Sequence, residues 1–302
     1  MGLVAAMLPG LAAVAALVFT WVSVTQVSEE LAISKQGQIA DRYDKALERL
    51  SDSSANIRRG AIFSLQGIME DAPRQQPAVI DALSGYIRTH ATKKLSAEKA
   101  PDVQAALSAL GHRDPSQDGD STINLRGIHL ANADLRGVDL AEANLGEADL
   151  PNCNLEGADL SGADLRLASL RQGNLTGANL AEANLGRAVL NGANMTKAKL
   201  SNTGLNSAVL KSTLLMNADL RSSDLYEADL READLTDADL TGADLTRASL
   251  EAARLDGADL TSVRRPEADL AFRSETGLEL DRSPEREGGG NGCCAIVAIR
   301  WR

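Results

Sequence analysis

The sequence predicts a β-solenoid rod preceded by helices, and three observations predict it. Leucine falls on every fifth position from Leu125 to Leu260, replaced once by Met195, and Leu270 keeps the beat. The residue two before each centre is mostly Ala and the one just before it mostly Asp or Asn, as in Ala158-Asp159-Leu160-Ser161-Gly162. Upstream of the repeat, residues 1–28 carry no charged side chain and residues 29–110 space their apolar residues as helices do.

From Gly2 to Val27 the uncharged run would make about 39 Å of helix, enough to cross a bilayer core of roughly 30 Å. Leu11–Val24 is its most apolar part, with Trp21 where an interfacial anchor belongs. A transmembrane helix over residues 1–28 is therefore expected. A cleaved signal peptide and a buried core helix are the rivals, and the first lacks a basic leader and a small-residue cleavage site before Glu29. Lys35, Arg42, Lys45 and Arg49 follow the run, and no basic side chain precedes it. The positive-inside rule then gives a single-pass membrane protein with its C-terminal bulk in the cytoplasm. Met1 leads straight into the apolar stretch, which leaves room for an earlier span upstream.

Residues 29–112 read as a small α-helical bundle of the HEAT-like kind. Leu31, Ile39, Tyr43, Leu47 and Leu50 fall on one face, and Ile57, Ala61, Leu65 and Ile68 on another. Pro77 suits the first turn of a helix striped by Val79, Ile80, Leu83 and Ile87. A further pattern through Val103, Leu107 and Leu110 follows Pro101-Asp102, with Gly111 as its stop. Residues 113–120, polar and carrying Pro115 and Gly119, read as a linker.

The repeat occupies residues 121–272. A period of five fits neither a helix at 3.6 nor an uninterrupted strand at 2, but it fits three extended residues and a two-residue corner. Side chains alternate in the extended part, so Ala and Leu face inward and Asp or Asn outward. Corners often hold Gly, as at Gly137, Gly157, Gly177 and Gly257, where a tight turn can demand positive φ. Outward Asp and Asn can hydrogen-bond nearby backbone and hold the turn. These residues closely resemble the pentapeptide-repeat family, with its A-(D/N)-L-x-x consensus, over about half the chain and without an insertion. The resemblance implies an all-β right-handed quadrilateral β-helix, four pentapeptides to a coil, rising about 4.8 Å per coil. The helical region also resembles the juxtamembrane part of membrane-anchored pentapeptide-repeat proteins from actinobacteria, in stretches such as Gln36-Gly37-Gln38-Ile39-Ala40-Asp41-Arg42-Tyr43.

Residues 273–302 lose the beat: Glu275 takes a centre position and Gly288-Gly289-Gly290 is flexible in composition, so a mostly disordered tail is expected, with Leu280 a last irregular turn. Cys293-Cys294 lie there, and no prenylation motif ends the chain. Cys153 takes an inward Ala position as core packing. Three cysteines make no disulfide framework.

No catalytic, cofactor-binding or metal-binding constellation is legible. His90, His112 and His129 stand in no ligand spacing, and no phosphate-cradling loop or nucleophile elbow is present. Carboxylate pairs such as Asp234 and Asp239 sit at the outward position, where Asp is the structural default. The chain is expected not to be an enzyme and to use no cofactor. Its net charge of −11 is concentrated late in the rod, and such a surface does not take nucleic acid through the phosphates. Basic or neutral protein partners suit it better.

Between residues 189 and 214 the outward position reads Val189, Asn194, Lys199, Gly204, Val209 and Leu214. With twenty residues to a coil, Val189 and Val209 stack above Ser169 and Leu214 lies on the adjoining face. Val189, Val209 and Leu214 are thus the candidate partner contact, drift in a tolerant pair of coils being the rival reading. The expected function is a non-catalytic, membrane-tethered protein-interaction or scaffold protein, with homodimerisation as a second use of the strip. The alternative, implied by the resemblance, is a DNA-mimic modulator of a type II topoisomerase (gyrase). Against it, Asp219, Asp239 and Asp259 share one face while Asp224, Asp229 and Asp234 spread charge over the other three.

Overall fold

A computed structural model describes residues 2–92 and 95–264, with helix α1 (Gly2–Leu50), α2 (Ala55–Asp71), α3 (Gln76–His90) and α4 (Pro101–Gly111) ahead of the rod. The expectations for the tail of residues 273–302, for Leu280 and Cys293-Cys294, and for the repeats beyond residue 264 lie outside the described residues.

The single helix α1 takes in both the uncharged run and the first amphipathic pattern. This corrects the transmembrane expectation for residues 1–28. Among the described residues no helix is long and apolar enough to cross a membrane, so single-pass localisation with a cytoplasmic bulk does not stand. Thr20, Ser23, Thr25 and Gln26 interrupt the apolar residues between Leu17 and Val27. Glu29 and Glu30 follow within a turn, and the helix continues through them.

The last turns of α1 lay Ile39, Tyr43, Ala46, Leu47 and Leu50 on the bundle core. In α2 the buried face is Ala61, Ile62, Leu65, Ile68 and Met69, and Ile57 instead faces solvent. In α3 and α4 the expected stripes are the buried ones: Val79, Ile80, Leu83 and Ile87, then Val103, Leu107 and Leu110. Three helices are tied by a buried polar cluster. Arg58 Nε donates to Asp102 Oδ2 at 2.7 Å, Tyr86 donates to the same oxygen at 2.5 Å, and Arg58 Nη1 donates to the carbonyls of Asp52 and Ser53. Burial pushes the Asp102 carboxyl up, but the bonds from Tyr86 and Arg58 outweigh it and hold it below the usual carboxylate range. The Tyr86 hydroxyl is pushed well up, first by burial and then by Asp102.

The rod is a stack of twenty-residue coils. Parallel bridges join each outward residue to the one twenty further on, from Asn124↔Asn144 through Asp244↔Arg264. Four pentapeptides therefore make one coil, and each face is a ladder of single bridges and not a sheet of long strands. One pentapeptide shows the complete backbone accounting. Asp159 N–H donates back to Val138 on the previous coil, and Leu160 and Gly162 donate forward to Asn179 and Ala181. Ala158 N–H closes the preceding turn onto Leu155, and Ser161 N–H is taken by the Asp159 side chain at 2.9 Å.

Every second corner residue from Gly127 to Ser262 has positive φ, Gly or not, as in Glu142, Leu167 and Lys197. With the turn hydrogen bond this is a type II turn. Non-glycine residues cost about 1–2 kcal/mol each in that region, offset by the lattice of bonds around them. The Leu and Ala positions are buried along the whole described rod, and Met195 is as buried as the leucines. Cys153 is buried too, which pushes its thiol up to about 12. Below it in sequence, Gly173 leaves room for that sulfur: a Cβ there would lie 3.1 Å from Cys153 Sγ.

The first coil has no preceding coil, and the helices take its place. His129 N–H donates to Ala91 and Asp139 N–H to Gly111. Gln104 serves both groups of Asp134, accepting its N–H at Oε1 and donating Nε2 to its carbonyl. Arg88 Nη1 donates to the Asn124 carbonyl and Arg113 Nη1 to that of Asp139. The strand β1 (Leu95–Ser96) pairs in parallel with β2 (Leu130–Ala131). All four faces of the open edge are thus covered, which protects it from pairing with another chain. Gly111 lies so close to Val138 that an added Cβ would be 2.5 Å from it. One hydrophobic cluster runs from Ala46 through the bundle into the rod. Gln104→Leu is expected to cost about 0.5–1.5 kcal/mol by removing both bonds to Asp134, with hydrogen exchange at Asp134 as the readout. Unchanged protection there would refute the cap.

Candidate interaction surface

The outward residue of each pentapeptide has a structural task. Every outward Asp or Asn from Asn124 to Asp259 accepts the N–H two residues on, except Asp149, where Pro151 has none to give. Val189, Lys199, Gly204, Val209 and Leu214 carry no acceptor suited to that task, so mid-rod corners forgo a bond of about 1 kcal/mol each. That run coincides with the strip singled out from the sequence.

The structure places Val189 and Val209 in one ladder, Ser169↔Val189↔Val209↔Asp229. Both are half-buried, while Leu214, in the neighbouring ladder between Asn194 and Asp234, is 38% exposed. The corner Lys211-Ser212 separates Val209 from Leu214. A fourth apolar residue escapes notice in the sequence: Leu167, 47% exposed with φ 61°, stands on the corner leading into the valine ladder at Ser169. Stepping by twenty along the corner positions, and not only along the outward ones, would have found it.

Charges bound this strip. Above it, Asp229 pairs with Arg231 at 2.6 Å, and Arg231 holds the Asp229 carboxyl below the usual range. Further along, Asp219 pairs with Arg221, Asp234 with Arg254 and Asp244 with Arg264, so much of the late acidic surface is locally neutralised. Below the strip, His129 Nδ1 lies 3.5 Å from Asp149 Oδ2. Among the described residues no group of His, Cys, Asp and Glu is arranged to hold a metal ion.

Two of the clefts among the described residues lie at or near the helices. One of about 480 Å³ sits at the junction, lined by Arg113, Asp118, Asp120, Asp139 and Glu142, and its arginine is already bonded to Asp118. The other, about 460 Å³, lies between α1 and the turn at Pro73, beside Lys35 and Arg74. Neither lining includes a Ser, Cys or Thr nucleophile with a histidine beside it.

A model of pentapeptide repeats matches the chain in eight copies, within residues 123–172, 174–211 and 213–270. Among solved structures, HetL, a pentapeptide repeat protein involved in heterocyst differentiation regulation from the cyanobacterium Nostoc sp. strain PCC 7120, is 34% identical. The match covers 49% of this chain and 86% of HetL, with a TM-score of 0.26. The chain belongs to the pentapeptide-repeat family. Also similar is QnrB1, a plasmid-mediated fluoroquinolone resistance protein, at 20% identity and TM-score 0.38, covering 49% of this chain and 77% of that one. A pentapeptide repeat protein from the thylakoid lumen of Arabidopsis thaliana is 26% identical, with a TM-score of 0.30, covering 32% of this chain and 69% of its own. No curated protein sequence matches. Family and geometry together make the outward surface of the repeat, and not an internal pocket, the place to look for function.

Proposed function

We propose that this pentapeptide-repeat protein is a non-catalytic interaction protein whose rigid rod presents Val189, Val209 and Leu214 to a protein partner. The observation that carries this reading is the run of missing corner caps: between Val189 and Leu214 five of six outward positions lack an Asp or Asn acceptor, and three of those five carry apolar side chains. Local rules are most often broken where a surface is used. The helical cap fixes the first coil, so the strip stands on a stiff support. Pentapeptide-repeat proteins are generally structural or interaction proteins, which agrees. DNA mimicry has weaker support, because arginines pair Asp219, Asp229, Asp234 and Asp244 and break up the anionic pattern a duplex would present.

A photo-crosslinking residue in place of Val209 tests this in the native cell. It is expected to give a discrete adduct, either with another protein or with a second copy of this chain. The same residue at Asp239, on the face across the coil, is expected to give none. Adducts of equal yield from both positions, or from neither, would rule the strip out.

A further inference from the structure

We propose that the mid-rod strip recognises an acidic, leucine-bearing polypeptide segment, a refinement that rests on the interaction reading above. The argument starts from how charge is distributed along the rod. Residues 165–218 contain six basic side chains, Arg166, Arg171, Arg187, Lys197, Lys199 and Lys211, against one acid, Glu182. The acids outnumber the bases eight to two over residues 121–164 and twelve to five over residues 219–264. A cationic belt therefore girdles an otherwise acidic rod, at the same height as the missing caps.

On the valine face the belt is organised. With twenty residues to a coil, Arg187 stands at the corner before Val189, directly above Leu167. Arg171 and Lys211 occupy the corner on the other side, in one column with Asn191 between them. The apolar ladder of Val189 and Val209 thus runs between cations on both edges. Arg171 and Arg187 are exposed, and among the described residues neither makes an ion pair. Lys211 has one, to Glu232 at 3.2 Å. Cations at both edges of an apolar track match a segment whose leucines cover the valines and whose carboxylates reach sideways.

Magnitudes favour this occupant over a longer polyanion. The window on this face runs from Asp149 to Asp229, four coils or about 19 Å. A segment of about six extended residues fills it. The screening length at physiological salt is about 8 Å, so the acids at either end do not cancel the field at the centre. A nucleic acid or an anionic lipid surface would extend past the window onto Glu147 and Asp149 at one end and Asp229 and Glu232 at the other.

The test uses the full-length protein and a short fluorescein-labelled peptide in which leucines alternate with glutamates, followed by anisotropy. Its counterpart carries lysine for every glutamate. The glutamate peptide is expected to bind more tightly than the lysine peptide, and more weakly as salt rises. Arg171→Glu combined with Arg187→Glu is expected to lower its affinity about tenfold, and Lys199→Glu, on the face across the coil, less than about twofold. Equal binding of the two peptides, indifference to the arginine reversals, or tighter binding of a single-stranded oligonucleotide or phosphatidylserine vesicle would each overturn the proposal. If the crosslinker at Val209 still yields its adduct while the peptide result fails, the strip stands and only the acidic chemistry falls. If both fail, the interaction reading falls with it.

Discussion

Leu165→Arg is expected to break the rod, lowering the thermal midpoint by far more than any surface change and abolishing protection in the surrounding coils. Leu165 is fully buried in the stack of centre leucines. Its replacement loses about 2 kcal/mol of apolar burial and must place a guanidinium among Leu and Ala side chains, at several kcal/mol more. The side chain has no route to solvent, because the inward position is enclosed by the coil's own backbone. Leu165→Met is the control, expected to cost less than about 1.5 kcal/mol, since Met195 already fills an equivalent centre. Because each coil bonds mainly to its neighbours, hydrogen exchange in Leu165→Arg should rise first in the coils around residues 145–185. An unchanged melting curve for the arginine variant would disprove the inward assignment, and uniform loss of protection over the whole rod would disprove the one-dimensional coupling.

The rod was legible because each of its five positions has a fixed physical task that leaves a residue-type signature. Leu and Ala fill the interior, Asp or Asn takes a corner N–H, and the second corner residue must tolerate positive φ. The last task leaves the weakest signature, since Glu142, Leu167 and Lys197 meet it without being Gly. In the helices, spacing fixed a stripe but not always its edge. Ile57 and Ile62 both border the face of Ala61, Leu65 and Ile68, and only the neighbouring helices decide that Ile62 is the buried one. The apolar run at the N-terminus misled for a different reason. Counting uncharged residues ignores that Thr20, Ser23, Thr25 and Gln26 dilute the stretch before Glu29.

What the sequence could not reveal was the relation between the two halves. That Gln104, Arg88 and Arg113 finish the hydrogen bonds of the first coil depends on how α3, α4 and the segment after α4 meet its edge. Polar residues at helix ends look alike whether they serve solvent or another backbone. The candidate strip lies between these cases. Val189, Val209 and Leu214 stood out as breaks in a pattern, whereas Leu167 and the flanking cations become neighbours only once corners are stacked by twenty.

The cap is therefore where the second large effect is expected. Arg58→Ala should destabilise the bundle by about 3–5 kcal/mol, because it leaves the Asp102 carboxylate, 4% exposed, without its cation. Tyr86 would still donate to it, but a neutral donor does not offset the removal of a guanidinium bonded at both Nε and Nη2. Asp102→Asn keeps the shape and should cost less, about 1–3 kcal/mol at neutral pH. The pH dependence has a definite sign. The Asp102 pKa is depressed in the folded chain, so its contribution is present above the unfolded value of about 3.9 and is lost as pH falls through the lowered folded value. The gap between the unsubstituted chain and Asp102→Asn should then be constant from pH 7 to about 5 and shrink on further acidification. Urea midpoints followed by helical circular dichroism at a series of pH values measure it. A gap that does not change between pH 7 and pH 3, or an Arg58→Ala variant as stable as the parent, would show that the buried pair does not hold the cap together. If the pair does hold it, exchange at His129, Asp134 and Asp139 should rise in Arg58→Ala as well, because the bonds that end the rod are supplied by the helices that this arginine joins.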